Sequence, residues 1–186
     1  MANIPFERSF ESYDNKEKLK CWDYEKNKGL TPKDIYLKTN NKHWFICNKC
    51  NHSFDVKINR IVTNNSFCMY CVNQKLCDDN NCGTCFEKSF ASFDKDKVEC
   101  YDLTKNKETP RQLFKGSGTV CYFNCNKCKH NFSNKLGYIT NDNRWCNYCN
   151  SKVLCDDDNC ETCFNKSFAS FENKDKLKCY DIKKIN

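Results

Sequence analysis

Glycine is scarce in this 186-residue chain, with five residues, and proline scarcer still, with three. So few glycines leave no phosphate-cradling loop of the P-loop or dinucleotide-binding kind. Histidine also numbers three, which leaves little for acid–base catalysis, and no Ser-His-Asp grouping is legible, so no enzyme is expected. No stretch approaches the roughly 18 apolar residues of a membrane span. The opening residues 1–20 lack an apolar segment, so no secretory signal is expected there. Arginine is limited to four against 27 lysines, which leaves few forks for bidentate reading of guanine. Apolar residues make up 39% of the chain, but 18 of them are cysteines, and 30% of residues are charged. Too little aliphatic material remains for a shared core, so short units of this composition need a covalent or metal staple.

Cysteine is that staple. Without secretion the compartment is expected to be intracellular and reducing, where regularly spaced cysteines read as metal ligands rather than disulfides. The spacing is strongly regular because the chain repeats itself. CNKCNHSF at Cys47 returns as CNKCKHNF at Cys125, FCMYC at Phe67 as WCNYC at Trp145, and LCDDNNCGTCF at Leu76 as LCDDDNCETCF at Leu154. Seven cysteines map across with an offset of 78, and Cys100 maps onto Cys179 one residue further on. LKCWDY at Cys21, VECYDL at Cys100 and LKCYDI at Cys179 mark a third phase. The organisation expected is a first unit over 9–76, a Cys-triplet connector over 77–100, a second unit over 101–154, and a second connector with the opening of a third unit over 155–186. Stretches such as SFDVKINRIV alternate and read as short strands. Ser9, Ser89 and Ser167 each precede a Phe and a polar segment, a helix N-cap signal.

The strongest motif is C-x2-C, 17 residues, C-x2-C, present as Cys47, Cys50, Cys68, Cys71 and again as Cys125, Cys128, Cys146, Cys149. Two residues between cysteines let one knuckle point both sulfurs at a single ion, and two knuckles complete a tetrahedron. Soft thiolates favour zinc over magnesium or calcium, while iron fits the same geometry. The second motif, C-x4-C-x2-C, is Cys77, Cys82, Cys85 and Cys155, Cys160, Cys163. Each triplet is one ligand short. The nearest repeated candidates are Cys100 and Cys179, which would give about four zincs per chain; the alternative leaves the triplets as buried thiols in a turn. His52 and His130, two residues past the second knuckle cysteine, can replace Cys50 or Cys128 as ligands or form a hydrogen bond within the turn; the hydrogen bond is the expected role. Cys21 and Cys121 have no partner at ligand spacing and read as packing or exposed positions.

The run from Cys21 to Cys71 resembles the probable zinc-ribbon or treble-clef domain family of giant DNA viruses and bacteria. The resemblance rests on Trp22, Asn27, Pro32, Trp44, Phe45, the first knuckle with His52, Phe54, Arg60 and the closing C-x-Y-C. The second unit matches through Tyr101, Asn106, Pro110, Tyr122, Phe123 and the Cys125–Cys149 set, but has Tyr138 where the first has Arg60. The resemblance implies a small metal-stabilised α+β fold of tandem zinc-ribbon or treble-clef modules, with short hairpins, short helices and little conventional core. Some relatives carry endonuclease-like domains, which implies work near DNA.

The formal charge of +7 counts every cysteine as neutral. A zinc held by four thiolates carries net −2, so four such sites bring the holo-protein to about −1. Basicity is local instead: residues 33–71 carry +4 and 105–149 carry +6 before metal, while 77–100 and 155–179 are acidic. Lys42, Lys49, Lys57, Arg60, Lys115, Lys127, Lys129, Lys135 and Arg144 are the candidate phosphate contacts, with Trp44, Phe45, Tyr122, Phe123, Trp145 and Tyr148 nearby to stack on bases or to form a small core. Two readings follow: a nucleic-acid-binding protein, or a structural or protein-docking module such as a virion or assembly component.

Overall fold

In the sequence KHWFI, His43 and Phe45 alternate with Lys42, Trp44 and Ile46, and in SFDVK, Phe54 and Val56 alternate with polar residues. These are strands β1 (Lys42–Ile46) and β2 (Ser53–Lys57), paired antiparallel so that His43 faces Val56 and Phe45 faces Phe54. One face of the hairpin is therefore apolar and the other meets solvent. The computed structural model describes residues 4–172, and the chain divides in sequence between Cys85 and Phe86 into two compact units. The first triplet thus falls inside the first unit, rather than in a separate stretch over 77–100, and residues 86–100 belong to the second.

The expected strand SFDVKINRIV is a strand only in its first half. Ile58–Asn64 is a helix, α2, that buries Ile58 and Ile61, one helical turn apart, against the hairpin. It ends where Asn65 turns into the left-handed region at φ 50°. Short helices Lys16–Leu19 (α1), Gly83–Lys88 (α3) and Lys95–Glu99 (α4) precede the second hairpin. That hairpin is β3 (Val120–Asn124) with β4 (Asn131–Lys135), followed by α5 (Leu136–Thr140) and, after the second triplet begins, α6 (Glu161–Phe164). Pro32 and Pro110 open 3-10 turns behind capping boxes made by Thr31 with Asp34 and Thr109 with Gln112.

The three serines stand at N-cap positions as expected, but ahead of 3-10 turns and without a side-chain cap hydrogen bond. Ser9, Ser89 and Ser167 each donate through Oγ to the carbonyl three residues back, on Phe6, Phe86 and Phe164, at 2.7–2.8 Å. The chain ahead folds into 3-10 turns that present Phe10 and Phe90 to the core.

Each unit closes over a small aromatic core. In the first, Phe45 is fully buried and meets Phe10, Trp22 and Phe67 edge to face with ring centroids 5.3–6.0 Å apart, while Phe54 stacks alongside. In the second, Phe123 plays the same part among Phe90, Tyr101, Phe132 and Trp145. The two units solve one packing problem differently: Trp22 stacks on His43, and in the second unit the smaller Tyr101 lies against Cys121, its hydroxyl 3.8 Å from the sulfur. Cys121 is therefore a core-filling thiol, and burial raises its pKa.

Candidate metal centres and basic faces

The β1–β2 turn carries Cys47 and Cys50, and the stretch after α2 carries Cys68 and Cys71. The first turn closes when Asn51, at φ 55°, folds its N–H back to the Cys47 carbonyl at 2.8 Å; Lys129, at φ 62°, does the same for Cys125 at 2.9 Å. The sulfurs of Cys47 and Cys71 then lie 3.6 Å apart and those of Cys50 and Cys68 3.5 Å apart. The Cys125–Cys149 and Cys128–Cys146 pairs repeat these distances. Sulfurs about 2.3 Å from one central ion would be separated by about 3.8 Å along a tetrahedron's edge, so the spacing suits zinc.

The triplets close differently from the expectation. The fourth member of the Cys77, Cys82, Cys85 group is His52, with Nε2 3.4 Å from the sulfurs of both Cys82 and Cys85. His130 holds the same position by Cys160 and Cys163 at 3.4 Å, with Cys155 completing the group. For nitrogen and sulfur at zinc the expected edge is about 3.5 Å. Asp79 and Asp157 shape the triplet turns by accepting from Asn81 and Asn159, and α3 and α6 bring in Cys85 and Cys163, both buried.

Cys100 stands elsewhere. It follows α4 in the second unit, its carbonyl accepts from Asn124 N–H at 2.7 Å, and burial raises its pKa with Cys125 as the neighbouring thiol. It is a buried thiol beside the second four-cysteine group, as Cys21 is beside the first. The other expected closing ligand, Cys179, lies outside the described residues. The signal for the histidines was present: His52 and His130 repeat at the triplets' own offset of 78, whereas Cys100 and Cys179 repeat at 79 together with the CWDY and CYDL motif, whose first copy at Cys21 has no triplet upstream.

The thiols are crowded enough to resist joint ionisation without a cation. Burial pushes Cys50 and Cys85 up to about 11. Burial opposes ionisation of Cys77 too, but hydrogen bonds from His52 and Cys85 outweigh it and bring that thiol down to about 6. In the second unit burial is likewise outweighed at Cys125, where the N–H groups of Cys128 and Lys127 bring it down to about 7. Cys77 and Cys125 thus offer a thiolate readily, whereas the buried thiols of Cys50 and Cys85 give theirs up more easily to a divalent ion. Among the described residues there are four such groups, and they fit four zinc ions, two held by four thiolates and two by three thiolates and an imidazole. Since the latter carry net −1, the zinc-loaded chain has a formal charge of about +1 rather than −1.

Most of the expected basic residues make local contacts within their own unit. Lys42 pairs with Asp55 at 3.0 Å, and Lys57 lies beside it across the hairpin. Lys135 and Arg144 both lie over Tyr138, at 5.4 and 5.2 Å, and Arg144 also meets Asp142 at 3.5 Å. Arg60 reaches Gln74, Lys115 reaches Ser92, and Lys129 caps the Asn126 carbonyl; Lys49 and Lys127 sit in the first knuckles. Of the aromatics, Phe45 and Phe123 belong to the cores, Trp145 packs against the second, and Tyr70 and Tyr148 stack on the metal-site histidines. Trp44 and Tyr122 point outward. The cations that accompany them were not among the expected residues: Lys26 lies over Trp44 at 4.5 Å and Lys105 over Tyr122 at 5.8 Å. These lysines are anchored by Ser53 and Asn131, each at 2.8 Å, and occupy one phase of the repeat.

The sequence model of a family described as a probable treble clef zinc finger domain matches twice, over residues 19–74 and 98–152. Both matches stop short of the triplets, at Cys77 and Cys155. An uncharacterized protein of Acanthamoeba polyphaga mimivirus is similar, 34% identical over 170 residues, which is 89% of this chain. The chain spans 39% of that relative's length. Among the described residues no helix is long and apolar enough to cross a membrane.

Proposed function

Because the chain belongs to the probable treble clef zinc finger family, we propose that it is a non-enzymatic zinc protein that binds nucleic acid through the outer faces of its two hairpins. The observation that carries this reading is the recurrence, at one position in both units, of an exposed ring with a lysine beside it. Trp44 is 37% exposed and Tyr122 42%, with Lys26 and Lys105 against them. Lys42 and Lys57 flank the first ring, and Lys135 the second, along the same outward rows of the hairpins. A ring that can stack on a base, next to ammonium groups that can meet phosphates, is the recurring equipment of sequence-tolerant binding to single strands. The absence of any open coordination position in the proposed ligand sets supports the non-enzymatic part: four protein ligands per ion leave no place for a reactive water.

The test is binding of zinc-loaded full chain to a labelled single-stranded oligonucleotide across a salt series. Affinity is expected to fall steeply as salt rises, because bound counterions are released on association. Removing both rings (Trp44→Ala with Tyr122→Ala) should weaken binding by about 1–3 kcal/mol for each stacked base. Lys26→Ala with Lys105→Ala should flatten the salt slope. Zinc content measured on each variant shows that the fold is kept. Lack of binding at low salt contradicts the proposal. Salt-insensitive capture of a protein partner that disappears with the same two rings would assign the faces to docking instead.

A further inference from the structure

The two metal groups of a unit share their supports, and from this we infer that zinc is bound as coupled pairs, with the four-cysteine ion building the site for the second. This rests on the zinc assignment above but not on any reading of the partner. The second site's imidazole is held in place by parts of the first. His52 is two residues beyond Cys50, and its carbonyl accepts the N–H of Cys47 at 2.9 Å. Its ring stacks on Tyr70 with centroids 4.2 Å apart and planes 19° from parallel. Tyr70 lies between Cys68 and Cys71, so one knuckle supplies the backbone of His52 and the other the surface against which its ring lies. The second unit repeats every element: Cys125 N–H to the His130 carbonyl at 2.9 Å, and His130 on Tyr148 at 4.2 Å and 12°.

The stack matters because the usual support is missing. A metal-bound imidazole ordinarily donates its other N–H to a carboxylate or carbonyl, which sets the ring's orientation. Here Nδ1 of His52 and of His130 is buried and meets no hydrogen-bond partner among the described residues. With that anchor absent, Tyr70 and Tyr148 are the positioning residues that aim Nε2 at the sulfurs. If the four-cysteine ion is lost, both knuckles loosen and the imidazole is no longer presented to the triplet. Cys77, Cys82 and Cys85 then remain a three-ligand set. The coupling is reciprocal in free energy, so the triplet's ion also strengthens the first.

The experiment is native mass spectrometry of the full chain as metal-free protein is titrated with zinc, with cobalt substitution as a spectroscopic count of sulfur and nitrogen ligands. Unmodified protein is expected to pass mainly through two-zinc and four-zinc forms. Cys68→Ser should lose two ions, and His52→Ala only one. Tyr70→Leu should weaken the nitrogen-containing site by roughly 10–100-fold, the range for lost outer supports, while the four-sulfur cobalt spectrum of that unit persists. Tyr70→Phe, which keeps the ring, should restore it. Loss of a single ion from Cys68→Ser, or a Tyr70→Leu protein with an unweakened second site, would overturn the pairing while leaving the zinc assignment intact. A chain that binds no zinc would remove the assignment itself.

Discussion

Cys68→Ser is expected to unfold the first unit and leave the second folded. Cys68 is buried, and its sulfur lies 3.5 Å from that of Cys50 across the four-cysteine group. A structural zinc contributes about 10–16 kcal/mol of apparent binding energy in finger peptides, whereas a small domain is net stable by only about 5–15 kcal/mol. Losing one site therefore removes an amount comparable with the whole margin. Because Tyr70 and His52 depend on the same knuckles, the second ion of that unit goes too. The chain divides at Cys85 and Phe86, and each side has its own aromatic core and its own ligand sets, so the loss should stop at that boundary. Hydrogen exchange checks this residue by residue. Protection should vanish in β1, β2 and α2 and persist in β3, β4 and α5. Equal loss in both units would refute independent modules.

Phe45→Ala should be the most costly change away from the metals. Phe45 is fully buried and touches Phe10, Trp22, Phe54 and Phe67, so its removal opens the centre of the first core. Buried Phe→Ala changes cost about 3–5 kcal/mol, which in a unit of this size corresponds to a fall in Tm of at least about 12 °C. Trp44→Ala, one residue earlier on the same strand, removes a larger ring from the outward face and should move Tm by only a few degrees. Calorimetry of the zinc-loaded variants separates the two. Similar losses at both positions would mean that the hairpin does not present its faces as described.

Much of this architecture could be read from residues alone because zinc knuckles are local. The C-x2-C spacings and the offset of 78 specified two four-cysteine groups without any knowledge of the fold. The triplets were legible as incomplete sites, yet their closure was not, because proximity in sequence favoured Cys100 and Cys179. A hairpin turn returns the chain on itself, so a residue 25 positions before Cys77 can be its neighbour in space. Lys26 is hidden in the sequence for a similar reason. Nothing in a polar run marks which lysine will fold over Trp44 until the segment after Trp22 is laid along β1, through Asp23 N–H to the Trp44 carbonyl at 3.1 Å. The strand pattern of SFDVKINRIV does not hold through Val62 because the apolar spacing changes from two to three at Ile58, a change too brief to register as a helix. The charge balance moved with the ligands: exchanging two thiolates for two imidazoles turns a slightly negative holo-protein into a slightly positive one.

Whether thiolates and imidazoles hold zinc in this protein is decided by metal and thiol analysis of the full chain, purified without added zinc and without oxidant. The expected result is about four zinc ions per chain, in cobalt-substituted form two with four sulfurs and two with three sulfurs and one nitrogen, and no disulfides. Native protein that holds no metal and whose knuckle cysteines are bridged in pairs would contradict it.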